Sequence, residues 1–329
     1  MDGLADVRVR FPLGFSPRPE HTDRVTRSAP TIATAAAEND DNFVALDWVL
    51  FVGVSLIWGS SFLLIAEALE GLTPGTVTLG RVGLGALTLL AFRAASSDLP
   101  TIERDDRKTI VLLSFLWIAI PFTLFPLAQE HINSAVTGLL NGATPVFAGL
   151  VSALVVKVVP KGVQLIGIVI GFVGIVLISL GSAGGGNSTE LRGVLMVLAA
   201  TVCYGFAINL AAPLQAKYGA IVTMGSALAL ATVWVLPFGL WNFGDNDWSA
   251  TPIFAVLFLG AIGTGTAYWI MATLVGRVGA IRASFITYLI PVVSLVLGVA
   301  IRDDQVTALA LIGAGLTIGG ALLASRRRS

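Results

Sequence analysis

Ten apolar runs, each of roughly 20 residues, occupy nearly all of the chain after residue 46. A helix needs about 20 apolar residues to cross the roughly 30 Å hydrocarbon core of a bilayer. The connections between the runs are short, and the longest, about 93–108, leaves no room for a soluble domain. The sequence therefore predicts an all-α integral membrane protein with ten transmembrane helices. We place them at about 48–66, 76–95, 109–128, 135–156, 162–181, 191–212, 221–241, 252–275, 281–301 and 306–324.

The composition agrees with burial in lipid and excludes several function classes. Hydrophobic residues make up 55% of the 329 residues and charged residues 12%, whereas charged residues are about 25% of soluble domains. A net charge of zero gives the chain no electrostatic reason to bind nucleic acid. With one cysteine, Cys203, and two histidines, neither an internal disulfide nor a Cys/His metal centre can form. We expect no metal and no other cofactor.

The distribution of lysine and arginine predicts the orientation in the plasma membrane, because cytoplasmic loops carry an excess of these residues. If the N-terminus is inside, nine of them fall in cytoplasmic loops and two in outer loops. The outer loops are instead acidic. We therefore predict a multi-pass protein of the cell membrane with both termini cytoplasmic. The nine are Arg93, Arg104, Arg107, Lys108, Lys157, Lys161, Lys217, Arg277 and Arg282, against Arg192 and Arg302 outside.

The two ends of the chain lack apolar runs. Residues 1–46 are rich in Arg, Pro, Asp, Thr and Ala, and they contain no apolar segment long enough for a secretory signal. We interpret them as a disordered cytoplasmic tail. Residues 325–329 form a basic cytoplasmic end.

An internal repeat with an offset of 146 residues divides the ten runs into two halves. At this offset Trp58 is matched by Tyr204, and Gly59 by Gly205. A Gly/Ser-rich segment within residues 181–190 separates the halves as a linker. Each half has five spans, and five is odd, so the second half enters the membrane in the opposite direction. The sequence thus predicts two inverted five-helix repeats, an architecture suited to alternating access around a site at the bilayer midplane.

Two of the matched runs carry a proline near the centre, Pro145 in the fourth and Pro291 in the ninth. Proline donates no backbone hydrogen bond, and its ring clashes with the carbonyl four residues earlier, here that of Asn141 or Thr287. A carbonyl freed inside a membrane is tolerated only where protein or a water-filled cavity satisfies it. Interrupted helices at corresponding places in two halves indicate the binding site of a transporter.

Polar and aromatic side chains near the centres of the runs are the candidates for a substrate-binding site. The aromatic ones can form a cavity wall or pack between helices with a neighbour satisfying the polar group. The serines can bond to their own helix carbonyls, so both interpretations stay open. No catalytic or metal-binding residue is assigned. The predicted substrate-binding residues are Trp58, Ser60, Ser61, Arg81, Asn141, Thr144, Pro145, Tyr204, Asn209, Tyr268, Thr287, Tyr288 and Pro291.

Arg81 departs from the repeat, because the equivalent position of the second half is Ala227. It lies about seven residues inside the second run, roughly 10 Å deep at 1.5 Å per residue. A charge within a span usually faces the protein interior and has a function, so Arg81 could hold a substrate carboxylate. The alternative, which we favour at this point, is an ion pair with Glu67 or Glu130 at the outer surface.

Small-residue patterns in the fifth and tenth runs, Gly167-xxx-Gly171 and Gly315-xxx-Gly319, allow helices to approach closely. These runs can contact each other or a second protomer. Intramolecular packing is expected, and a homodimer is the alternative.

The chain resembles the EamA domain of the drug/metabolite transporter superfamily. The segments that carry the resemblance are WGSSF at 58–62, the spacing of Pro74 and Arg81, TPVFAGLVSAL at 144–154 and ASFITYLIPVVSLVLGV at 283–299. Two EamA-like repeats would cover 47–180 and 191–324. The resemblance implies a ten-helix bundle with a central cavity and cytoplasmic termini, which exports small metabolites such as amino acids or related compounds. Members often have an acidic residue 13 positions after each of the two prolines; here those positions are Val158 and Asp304.

The function favoured by these features is a secondary transporter, an exporter of small metabolites, working by alternating access. Its partners would be a small-molecule substrate and the lipid bilayer. A channel is the alternative. An intramembrane enzyme is a weaker one, since both histidines lie outside the runs and a nucleophile would lack a base. The Walker A pattern is absent from the sequence, which argues against drive by ATP in this chain.

Overall fold

The computed structural model describes residues 43–95, 99–156, 161–182 and 188–325. Most of the predicted tail, the centre of the linker and the basic C-terminal end lie outside the described residues. The described part is helical, and helices are numbered by span. They are α1 Ala45–Leu69, α2 Pro74–Ala94, α3 Arg107–Gln129, α4 Ser134–Asn141 and Thr144–Val156, α5 Val163–Ser182, α6 and α7 within Ser188–Leu240, α8 Ala250–Val278, α9 Ala280–Ser284 and Ile286–Arg302, and α10 Ala308–Ala324.

Eight helices among the described residues are long and apolar enough to cross a membrane, and α10 is a shorter apolar helix. The longest of the eight lies in a helical segment of 53 residues, Ser188–Leu240, but Gly219 within it has a φ of 78° and a ψ of 160°, which is not helical. Only glycine adopts such a conformation readily. Gly219 therefore divides the segment into α6 (188–218) and α7 (220–240). Gly279, with a φ of 82°, makes a similar abrupt turn between α8 and α9.

Three helices begin with a threonine or asparagine side-chain cap. Thr73 accepts a hydrogen bond from the backbone of Thr76 and precedes Pro74, the first residue of α2. Asn133 caps α4 at 2.9 Å, and Thr307 caps α10 at 3.2 Å. A capped start satisfies backbone N–H groups that have no partner within the helix. All three starts lie at the predicted outer face.

Helices α5 and α10 pack closely through glycines that the repeat relates to one another. A Cβ on Gly167 would overlap the backbone at Gly320, and a Cβ on Gly174 would overlap the backbone at Gly313. An offset of 146 converts the first contact into the second. The predicted contact between α5 and α10 is present, but α10 makes it with Gly313 and Gly320. The predicted pattern Gly315-xxx-Gly319 is not used there, because a Cβ at either glycine would meet no heavy atom.

The same relation holds between the other helices of the two halves. Gly59 in α1 packs against Val293 in α9, and Gly205 in α6 packs against the backbone of Phe147 in α4. Adding 146 to 59 gives 205, and subtracting it from 293 gives 147. Equivalent helices of the two halves therefore make equivalent contacts.

The interruption of α4 and α9 differs in detail from the prediction. Helix α4 stops at Asn141 and restarts at Thr144, so Pro145 lies in the first turn of the second piece, where a proline is tolerated. Helix α9 is interrupted at Phe285 and then runs through Pro291. The break in α9 is thus six residues before the proline and not at it.

Two further distortions were not predicted. Residues Ser114–Ala119 of α3 and Phe258–Thr266 of α8 have π-helical hydrogen bonding. An offset of 146 places the first segment within the second. Such segments often occur at functional sites.

Candidate functional site

A cavity of about 140 Å³ lies between the helices of both halves. Its wall is largely aromatic, with a few polar groups and one arginine, the composition that small-molecule sites commonly have. The lining residues are Trp58, Ser61, Phe62, Arg81, Trp117, Phe122, Phe125, Asn141, Thr144, Tyr204, Ile208, Tyr268, Thr287 and Ile290.

Ten of these residues form five pairs that the offset of 146 relates. The repeat therefore builds most of the wall twice, once from each half, and brings both copies to one place. The pairs are Trp58 with Tyr204, Phe62 with Ile208, Phe122 with Tyr268, Asn141 with Thr287, and Thr144 with Ile290.

Eight of the thirteen predicted site residues line the cavity. The other five lie outside its lining. Tyr288 points towards α10, where its hydroxyl donates to the carbonyl of Ala321 at 3.4 Å. Asn209 donates to the carbonyl of Gly205 in its own helix at 2.8 Å. The remaining three are Ser60, which bonds to its own helix, Pro145 and Pro291.

Arg81 is buried, with 7% of its surface exposed, and its surroundings differ from the ion pair favoured by the sequence. Its Nε donates to the hydroxyl of Thr264 at 3.3 Å, and its guanidinium lies 4.0 Å from the centre of the Phe122 ring. Glu67, one of the two expected partners, instead accepts from Arg302 at 2.6 Å. Among the described residues, no carboxylate forms an ion pair with Arg81.

Asn141 is one of the lining residues of the cavity and is the last residue before the break in α4. The sequence suggested that the carbonyl of Asn141 is free to line the cavity. In the structure the hydroxyl of Thr144 donates a hydrogen bond to this carbonyl at 2.8 Å. The side-chain Oδ1 of Asn141 is buried, and no described group hydrogen-bonds to it. A buried polar atom without a partner is costly, so Oδ1 is suited to accept from a ligand or from water.

The aromatic wall includes residues that sequence reasoning missed. Trp58 contacts Tyr268 edge-on with 5.8 Å between ring centres, and Phe62 contacts Phe125 at 5.4 Å. The missed residues are Phe62, Trp117, Phe122, Phe125, Ile208 and Ile290. The offset could have found Phe122, because it matches the predicted Tyr268, and Ile290, because it matches Thr144. Trp117 has only a glycine at the matching position.

Polar contacts between loops close the predicted outer face. Asp304 accepts hydrogen bonds from the Ser134 hydroxyl at 2.6 Å and the Ala135 backbone at 2.9 Å, so it caps α4 from the other half. Arg302 bridges Glu67 and Glu70 at 2.6 and 2.8 Å. Asp304, Arg302 and Glu70 border an acidic vestibule of about 690 Å³. Val158, the counterpart of Asp304, lies outside the described residues.

Charged groups also join the halves at the predicted cytoplasmic face. Lys217, at the end of α6, contacts Asp106 at 2.8 Å and Glu103 at 2.9 Å. The hydrogen bonds from Lys217 and then from the Tyr218 hydroxyl lower the pKa of Asp106 below its ordinary value. Asp47 at the start of α1 pairs with Arg277 at the end of α8. Each face thus has its own set of contacts between first and second half.

The comparisons with known proteins agree with this architecture. The model of the EamA-like transporter family matches residues 48–180 and again 191–326. The chain belongs to the EamA-like transporter family. It is 27% identical over 266 residues to the uncharacterized transporter YdfC of Bacillus subtilis, covering 80% of this chain and 86% of that one. It is 24% identical to an uncharacterized transporter of Archaeoglobus fulgidus, covering 85% and 99%.

A solved crystal structure shares the fold. It superposes with a TM-score of 0.60 at 20% identity, over 86% of this chain and 97% of the other. The EamA protein described here is thus a multi-pass membrane transporter that contains two EamA domains.

Proposed function

We propose that this EamA protein is a secondary transporter that exports small metabolites, such as amino acids or related compounds, by alternating access around the mid-depth cavity. The observation that carries the proposal is the cavity wall made of five repeat-related pairs. A site to which both halves contribute can be exposed to either side when one half rocks against the other. In this mechanism the contacts at the outer face and those at the cytoplasmic face would close the cavity in turn, each to its own side of the membrane.

The proposal includes a finer architecture of ten spans in two inverted repeats, with both termini cytoplasmic. Among the described helices, eight are long enough to span a membrane. One of them is divided in two at Gly219, and α10 adds a further apolar helix, so the total is ten. The paired contacts of Gly59 and Gly205 support the repeat. Labelling from one side of the membrane tests the orientation.

For that test, Cys203 is first changed to serine, and single cysteines are placed at the exposed positions Thr101 and Ser249. An impermeant maleimide added to intact cells should label Ser249→Cys and not Thr101→Cys. Labelling of Thr101→Cys alone would reverse the proposed orientation.

Transport itself is tested with purified protein in liposomes. Counterflow of a labelled metabolite against an internal unlabelled pool distinguishes a carrier from a channel, because only a carrier exchanges one bound solute for another. We expect saturable uptake with counterflow. Flux that rises linearly with concentration and shows no counterflow would favour a channel. Trp58→Ala and Tyr204→Ala should each reduce the flux. If both variants transport like the original protein, the cavity is not the transport site.

A further inference from the structure

The cavity has an unbalanced positive charge. Arg81 is the one charged side chain among the described residues that line it. The repeat does not supply a second charge, because Ala227 occupies the matching position. A buried ion is strongly disfavoured unless an opposite charge or hydrogen bonds compensate it. In the described part of the chain, Arg81 has compensation only from Thr264 and the Phe122 ring.

The contacts of Arg81 leave the two Nη groups of its guanidinium available to a ligand. The hydrogen bond to Thr264 uses Nε, and the Phe122 ring covers one face. Guanidinium has five N–H donors in a planar fork that matches a carboxylate or phosphate in two parallel hydrogen bonds. The Nη groups of Arg81 therefore have the chemistry to receive an anion.

Thr264 holds Arg81 in this position through the distorted segment of α8. Its hydroxyl donates to the carbonyl of Leu259, five residues earlier, at 2.9 Å. Because its proton is used there, the oxygen can accept from Nε of Arg81. The π-helical segment Phe258–Thr266 thus orients the acceptor that fixes the arginine.

We propose that Arg81 anchors the anionic group of the transported molecule, so that small organic anions are the preferred substrates. This inference rests on the proposed transport function and deepens it. The aromatic rings of the cavity wall would pack on an apolar or planar body, and Asn141 Oδ1 would accept a hydrogen bond from a polar N–H or O–H group. A volume near 140 Å³ holds a body about the size of benzene.

The experiment compares probes of similar size and different charge: benzoate, benzamide and benzylamine. Their binding to the purified full-length protein is measured by calorimetry and by thermal shift. We expect benzoate to bind about tenfold or more tightly than the other two, because a hydrogen-bonded charge is worth more than a neutral group. Phenylphosphonate is the second anionic arm; its affinity relative to benzoate shows whether the site prefers a carboxylate or a phosphate-like group.

Variants assign the effect to Arg81. Arg81→Gln should weaken benzoate binding about tenfold to a hundredfold and leave benzamide binding unchanged. Thr264→Val, which retains the arginine, should weaken benzoate binding several-fold, and it provides a second measurement if Arg81→Gln does not fold. Arg107→Gln, at an exposed position at the start of α3, is the matched control and should bind benzoate like the original protein.

The inference is overturned if benzoate and benzamide bind equally, if benzoate does not bind at millimolar concentration, or if folded Arg81→Gln binds benzoate normally. Counterflow separates it from the transport proposal. Movement of benzamide or benzylamine without benzoate would reject the anion preference and retain a transporter. Binding of benzoate without movement of any probe would retain the anion site and reject transport.

Discussion

At the scale of the residue, orientation about the helix axis decides which polar side chains can meet a substrate. Asn141 and Tyr288 were equally good candidates by sequence, since each lies within a turn of a central proline. Asn141 lines the cavity, whereas Tyr288 packs beside Val146, Ile168 and Ala321. Hydropathy and spacing do not reveal this difference.

This contrast yields a prediction with an internal control. Asn141→Ala should reduce saturable transport severalfold because it removes the buried Oδ1 from the cavity wall. Tyr288→Ala should leave the KM near that of the original protein, because its ring does not reach the cavity. The measurement is the concentration dependence of flux in liposomes at matched protein levels. If the two variants transport equally well, the cavity is not part of the transport path.

Asp304 supports a second prediction, on stability. Its carboxylate caps the start of α4 through Ser134 and Ala135. Loss of a helix cap destabilises a protein by about 0.5–2 kcal/mol. Asp304→Ala should therefore lower the melting temperature in detergent, whereas Asp245→Ala, at an exposed position of the same face, should change it little. An unchanged melting temperature for Asp304→Ala would contradict the capping role.

At the scale of the element, the close approach of α5 and α10 depends on which face of each helix carries glycine. Gly167→Ala would place a methyl group against the backbone of Gly320 and Ala324, which cannot move aside as a side chain can. Such overpacking costs about 1–3 kcal/mol. Gly315→Ala meets open space and should be neutral or stabilising, because alanine favours a helix by up to about 1 kcal/mol. Thermal unfolding of both variants in detergent tests the difference.

The stability of the contact between the end of α6 and the loop before α3 should depend on pH. In the folded protein the pKa of Asp106 is lowered, first by Lys217 and then by Tyr218. A lowered folded-state pKa means that this contribution to stability is present above the ordinary carboxyl pKa of about 3.9 and is lost as pH falls through the folded-state value.

Asp106→Asn should accordingly be less stable than the original protein at pH 6, and the difference should shrink as the pH approaches 3. The measurement is the melting temperature of both proteins across this range. Asp105→Asn, an exposed neighbour, is the control and should follow the original protein throughout. A difference that stays constant down to pH 3 would show that the carboxylate charge is not responsible.

At the scale of the whole molecule, the two halves are joined at both faces and share one cavity. Alternating access requires the contacts at the outer face to separate in part of the cycle. A cross-link between the halves there should stop transport without unfolding the protein.

Ser134→Cys and Asp304→Cys, combined with Cys203→Ser, place two thiols where a hydrogen bond of 2.6 Å now joins the halves. Oxidation should abolish counterflow, and reduction should restore it; cross-linking is verified by a mobility shift after cleavage of the linker region. Each single cysteine variant serves as a control and should be insensitive to oxidation. Full counterflow in a cross-linked sample would exclude opening at this face.

The sequence by itself determined the membrane class, the approximate positions of the spans, the offset of 146 and the family resemblance. These features are local or periodic: an apolar run of span length needs a bilayer, and a repeated sequence makes repeated contacts. Only the tertiary structure decided that Arg81 contacts Thr264 rather than Glu67, that α9 breaks at Phe285, and that Tyr288 faces α10. These outcomes depend on how each helix is rotated against its neighbours, and that rotation is fixed by packing across the bundle rather than by any single segment.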